Sequence, residues 1–114
     1  MKDFMYIFRG GEADPAIPAA APSAEELLLW DQWMEPLLAE DRVIGGEPLV
    51  PTGKVIRGQH KVVTDGPFAE GKEMVGGYFF LKAENLEEAV ALTKGCPILY
   101  TEDGTVEVRE IHPM

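Results

Sequence analysis

The stretch VVTDGPFAEGKEMVGGYFF, residues 62–80, gathers most of the side chains able to do chemistry, with Asp65, Glu70, Lys72 and Glu73 set between two apolar runs. A carboxylate serves as general acid or base when a substrate proton lies within hydrogen-bond reach, and imidazole is the side chain that ordinarily titrates nearest neutral pH. Asp65, Glu73 and His60, the one histidine in the body of the chain, are therefore the catalytic candidates. Glu70 and Lys72 are candidate ligand contacts on the same detour, Phe68 its anchor in the core, and Tyr78 and Trp30 aromatic walls for a pocket between helix and sheet. Simpler readings stand beside each of these. Asp65-Gly66-Pro67 is good turn composition without any chemistry, a histidine beside a hairpin turn is commonly solvated, and aromatic residues at strand or helix spacing commonly form core.

Other chemistries find little support. His60 and His112 with the single Cys96 give no metal-ligand spacing, so no metal or other cofactor is expected. There is no glycine-rich phosphate loop and no nucleophile elbow. A formal charge of -10 without a basic cluster opposes nucleic acid and anionic membrane surfaces. A lone cysteine suits a reducing compartment, and no stretch reaches membrane-span length, so a cytoplasmic protein is expected.

The elements that must position these residues follow from pattern. DFMYIF is a short β-prone run ended by Gly10-Gly11, and the next stretch, with Pro15, Pro18 and Pro22, is an extended connection. Ser23 and Glu26 form a capping box for a helix whose inner stripe is Leu27, Trp30, Met34, Leu37 and Leu38, widened by Leu29 and Trp33. Pro36 predicts a kink in it. RVIGGEPL reads as a strand broken at Gly45-Gly46. GKVIRGQHKVVTDG reads as a hairpin turning at Gly58-Gln59, which sets Arg57 opposite His60 and Val55 opposite Val62. GGYFFLKA is the strongest strand. Asn85 and Glu88 cap a second helix with Leu86, Ala89, Val90 and Thr93 inward, and GTVEVREI closes the chain as a strand with Val106 and Val108 on one face and Glu107 and Arg109 on the other.

At 114 residues the chain reads as one domain, residues 1–114. Its element order predicts an α+β fold, a ferredoxin-like antiparallel sheet with two main helices on one face. Phe4, Tyr6 and Phe8 alternate with Met5 and Ile7, and Tyr78 and Phe80 with Phe79 and Leu81, so both faces of that sheet are apolar. Water is expelled from the second face most simply by a second copy, which predicts a homodimer through the sheet faces. A fold of the proline-rich connection over that face is the alternative.

Asp65-Gly66-Pro67-Phe68, Glu70, Lys72-Glu73, Gly76-Gly77-Tyr78 and Gly95-Cys96-Pro97, standing in order, resemble the DGPF group of YCII-related proteins. DQWMEPLLAEDRVIGGEPL resembles the helix and strand that precede that motif. The resemblance implies a dimeric α+β barrel. It assigns no reaction: some members resemble domains found with sigma factors, and the wider superfamily includes small-molecule enzymes such as muconolactone isomerase-like proteins. A histidine–aspartate pair proposed for distant members places its histidine on the first helix, and LLLWDQWMEPLLAE has none. Two functions are therefore expected as alternatives. One is a small-molecule-binding enzyme with acid/base chemistry near the Asp65 loop, its acidic rim favouring uncharged or cationic ligands; the other is a non-catalytic accessory or regulatory domain working through protein contacts.

Overall fold

The computed structural model describes residues 1–10, 23–66 and 74–114. Phe68, Glu70, Lys72, Glu73 and the proline-rich connection lie outside the described residues. In chain order the elements are β1 (Lys2–Arg9), α1 (Ala24–Ala39), β2 (Val43–Pro48), β3 (Gly53–Arg57), β4 (Val62–Gly66), β5 (Val75–Ala83), α2 (Leu86–Ala91), a 3-10 turn (Pro97–Tyr100) and β6 (Thr105–Glu110).

Four strands form one antiparallel sheet in the order β2-β5-β1-β6, while β3 and β4, among the described residues, pair only with each other. β1-α1-β2 and β5-α2-β6 are interleaved, each pair of strands straddling a strand of the other, which is the ferredoxin-like arrangement. The β3–β4 ribbon is inserted between β2 and β5.

Alternation along β1 and β5 assigns the faces. Phe4, Tyr6, Phe8, Phe79, Leu81 and Ala83 are buried against the helices. Their ladder partners on β6, Val108 beside Tyr6 and Val106 beside Phe8, extend the same core. Trp33 and Leu37 of α1 complete it, with Trp33 and Phe79 ring centroids 5.3 Å apart and Trp30 edge-on to Phe8 at 5.4 Å. Burying each such side chain stabilises the fold by about 1.5–3 kcal/mol.

Both helices begin as their caps dictate. The Ser23 hydroxyl accepts the Glu26 N–H at 3.2 Å, and the Asn85 side chain accepts the Glu88 N–H at 2.8 Å. The C-terminus of α2 is closed from the core: the Tyr6 hydroxyl donates to the Ala89 carbonyl, and the Trp33 indole N–H donates to the Leu92 carbonyl at 3.1 Å. Carbonyls of a last helical turn lack intrahelical donors, and two core aromatics supply them here.

Several local expectations are revised. The β3–β4 register pairs Arg57 with Val62 and Val55 with Thr64. Gly58, Gln59, His60 and Lys61 together form the turn, closed by the Lys61 N–H to the Gly58 carbonyl at 3.1 Å, with Gly58 at φ +71° and Lys61 at φ +54°. A two-residue turn at Gly58-Gln59 is thereby replaced by a four-residue one. α1 runs as one helix through Pro36, and β2 continues past Gly45-Gly46 with a register irregularity between Val43 and Gly45. On α1 the inner stripe is narrower than its leucines suggest, since Leu27, Leu28 and Leu38 are exposed. α2 buries Ala89 but leaves Leu86 and Val90 half-exposed, because at six residues it lies on the sheet for less than two turns.

Candidate functional site

The second face of the sheet is built from three rows read across the ladders. Phe80, Met5 and Arg109 lie side by side, then Tyr78, Ile7 and Glu107, then Arg9 beside Thr105. Glu47 of β2 flanks Tyr78 on the opposite edge. Met5, Ile7, Tyr78 and Phe80 are only partly buried, and the Tyr78 and Phe80 rings stand 5.4 Å apart. The result is an apolar floor with polar groups along its margins.

The polar margin is organised by β6. The Arg9 guanidinium donates to the Glu107 carboxylate at 2.5 Å, diagonally across β1 and β6, and Arg109 approaches the other carboxylate oxygen at 3.8 Å. Glu107 thus sits between two cations, with lone pairs left to accept a ligand hydrogen bond. Arginine forks match planar oxyanions in geometry, and the Tyr78 phenol adds a donor or acceptor. Because Arg9, Arg109 and Lys82 balance Glu107, Glu47 and Asp3, this face is not the acidic surface that overall charge suggests.

The end of the floor nearest Arg9 is held in place by close backbone approaches. Gly10, at φ +88°, comes so near the 3-10 turn region that an added Cβ would lie 2.0 Å from the Asp103 carbonyl oxygen. Its N–H points to the carbonyl of the fully buried Met74 at 3.4 Å. Met74 marks the point where the charged detour rejoins described structure, at the Arg9 end of the floor.

The residues singled out from sequence are dispersed. His60 occupies the exposed ribbon turn, while Asp65 is at the ribbon's base, exposed and ion-paired with Lys54. Asp65 lies three steps along the strand from Val62 beside the turn, roughly 10 Å at 3.4 Å per residue, so His60 and Asp65 are not brought together. Trp30 packs between Phe8 and Trp33 on the helix side, whereas Tyr78 belongs to the opposite face. Glu70, Lys72, Glu73 and Phe68 are outside the described residues. Cys96 is fully buried, and burial pushes its thiol up to about 11, which leaves it an inert core side chain at neutral pH.

Sequence reasoning passes over Arg9, Glu107 and Arg109 as site residues. Alternation in β6 separates Glu107 and Arg109 from Val106 and Val108, but only the pairing of β6 with β1 reveals that they share a face with Ile7 and Tyr78.

Residues 31–114 match the model of the YCII-related domain. The chain belongs to the YCII-related family. No curated relative matches it. Among solved structures, this YCII-related chain is similar to 5-chloro-2-hydroxyhydroquinone dehydrochlorinase (TftG) from Burkholderia phenoliruptrix AC1100, in complex with 2,5-dihydroxybenzoquinone. The TM-score is 0.53 at 14% identity, covering 96% of this chain and 93% of that one. At that identity the likeness establishes a common fold. No helix among the described residues is long and apolar enough to cross a membrane.

Proposed function

We propose that this YCII-related protein is a homodimer that binds a small planar molecule carrying hydroxyl or oxo groups on the open sheet face, and performs acid/base chemistry on it. The observation that carries the reading is the composition of that face: Met5, Ile7 and Phe80 form a floor for a ring, and Tyr78, Arg9, Glu107 and Arg109 stand at its margin. Arg9 and Arg109 stabilise negative charge on a ring oxygen. Glu107 takes up the hydroxyl proton as that charge develops, and Tyr78 orients a second oxygen.

A second copy supplies the other wall. Leaving four large apolar side chains partly in water forgoes up to about 1.5–3 kcal/mol each, and covering them also lowers the local dielectric around Glu107. Met74, where the detour rejoins the sheet, stands beside Gly10 at the Arg9 end of that face; Glu70, Lys72 and Glu73 lie outside the described residues. That a protein of this fold is complexed with 2,5-dihydroxybenzoquinone supports oxygenated rings as the first ligands to try. The accessory role remains the second reading, favoured by the apolar residues exposed on the β3–β4 ribbon, among them Ile56 and Val63.

Thermal unfolding against hydroxylated benzenes and benzoquinones, 2,5-dihydroxybenzoquinone included, tests the binding. The wild type is expected to melt higher with at least one ring compound, and Arg9→Met to lose most of that response. A wild-type dimer indifferent to every such compound at millimolar concentration contradicts the proposal.

A further inference from the structure

The β3–β4 ribbon is anomalous in both packing and charge. Its strands pack chiefly on each other, and an isolated two-stranded hairpin is at best marginally stable in water. Its two faces are both apolar: Ile56 and Val63 are paired on one, and Val62 stands on the other beside Arg57. All three aliphatic residues are more than half exposed, at 66%, 58% and 55%. In a chain of net charge -10 the ribbon holds Lys54, Arg57 and Lys61 against the single acid Asp65. Lys54 is neutralised by Asp65, but Arg57 and Lys61 pair with no carboxylate among the described residues.

The outer face of α1 has the complementary character. Opposite the buried Trp33 and Leu37, helical spacing groups Leu27, Leu28 and Leu38 with Asp31 and Glu35. Those leucines are exposed by 51%, 56% and 57%. α1 contains four acids, Glu25, Glu26, Asp31 and Glu35, and no lysine or arginine.

We infer that the β3–β4 ribbon is an arm that docks on the outer face of α1 in a second copy of this chain. The face bearing Val62 and Arg57 is the one that docks: Val62 lies against Leu27, Leu28 and Leu38, while Arg57 beside it and Lys61 at the turn face Asp31 and Glu35. Apolar matching supplies burial, and the opposite charges set the pairing and reject others. Ribbon on ribbon would confront Arg57 and Lys61 with themselves, and helix on helix would confront Asp31 with Glu35. The exchange is reciprocal across a two-fold axis, so two ribbons and two helices are covered together. This docking stands independently of the reading of the open sheet face.

Cross-linking between copies tests it. Val62→Cys and Leu28→Cys are made in separate full-length chains, mixed, and oxidised; Cys96 is buried and does not compete. A disulfide joining residue 62 of one chain to residue 28 of the other is expected. Adding Arg57→Glu and Lys61→Glu to the first chain should lower its yield at least roughly tenfold, about 1.4 kcal/mol. Adding Asp31→Lys and Glu35→Lys to the second chain should then restore it. Absence of the mixed disulfide, a 62-to-62 disulfide in its place, or a yield indifferent to charge reversal overturns the inference.

Discussion

Arg9 and Glu107 meet at 2.5 Å across the β1–β6 ladder, on the same face of the sheet as Ile7 and Tyr78. Both side chains are partly exposed, so as a structural bond the pair contributes less than about 1 kcal/mol. Its consequence is positional: it fixes a carboxylate and a guanidinium at the margin of an apolar floor.

Replacing Glu107 with Gln should therefore leave the melting temperature nearly unchanged. The variant should weaken binding of a ring compound that shifts the wild type by about tenfold or more, since a charge-assisted hydrogen bond contributes about 1.5–3 kcal/mol. Isothermal titration of wild type and variant with the same ligand measures this. Equal affinities would remove Glu107 from the site.

Tyr6 plays a different part. Its buried hydroxyl closes the Ala89 carbonyl at the end of α2, and burial raises the phenol's pKa. Tyr6→Phe should destabilise the protein by about 1–3 kcal/mol, the penalty for leaving a buried carbonyl unpaired. Urea unfolding checks the value, with no change expected in ligand affinity because Tyr6 faces the helices.

Acid sensitivity should trace in part to Glu88. Its carboxylate accepts the Glu84 N–H at 3.0 Å and pairs with Arg42 at 2.6 Å, and these interactions hold its pKa below the ordinary 4.5. A group with a lowered folded-state pKa contributes stability above its unfolded value, and that contribution disappears as pH falls through the folded value. Wild type should therefore be more stable than Glu88→Gln near neutral pH, and the gap should close below 4.5. Unfolding curves at several pH values follow this gap.

Gly104 ties the start of β6 to the 3-10 turn. An added Cβ would lie 1.8 Å from the Ile98 carbonyl oxygen and 2.7 Å from the Thr101 hydroxyl. Gly104→Ala should cost about 1–3 kcal/mol through forced backbone shifts. Because Thr105 is the ladder partner of Arg9, the same variant should weaken the thermal response to ring ligands, a loss visible in one set of melting curves.

The fold is legible in the sequence where local pattern and tertiary environment agree. Phe4, Tyr6 and Phe8 alternating with Met5 and Ile7 mark both faces of β1, and Ser23 and Asn85 mark the helix starts, since a cap is decided within four residues. The ribbon turn is longer than its composition suggests because Gly58 at φ +71° shares the bend with Lys61 at φ +54°, and a left-handed lysine leaves no compositional signal. Leu27 and Leu38 face outward against expectation because hydrophobicity marks surfaces that want cover without saying whether the cover is in the same chain. Tyr78, expected with Trp30 between helix and sheet, stands instead on the open face, because the alternation of β5 turns it away from Phe79 and the helices. Arg9, Glu107 and Arg109 escape notice because their convergence depends on β6 lying beside β1, a long-range pairing that no window of sequence contains.

The central claim is that the Met5, Ile7, Tyr78 and Phe80 face is covered by a second copy, and sedimentation equilibrium of wild type and Ile7→Glu tests it most directly. The account expects the wild type to be dimeric at low micromolar concentration, and Ile7→Glu to no longer associate through that face while keeping its fold, as followed by circular dichroism. A wild type that is monomeric there, or an Ile7→Glu variant that associates as tightly as the wild type, would contradict it.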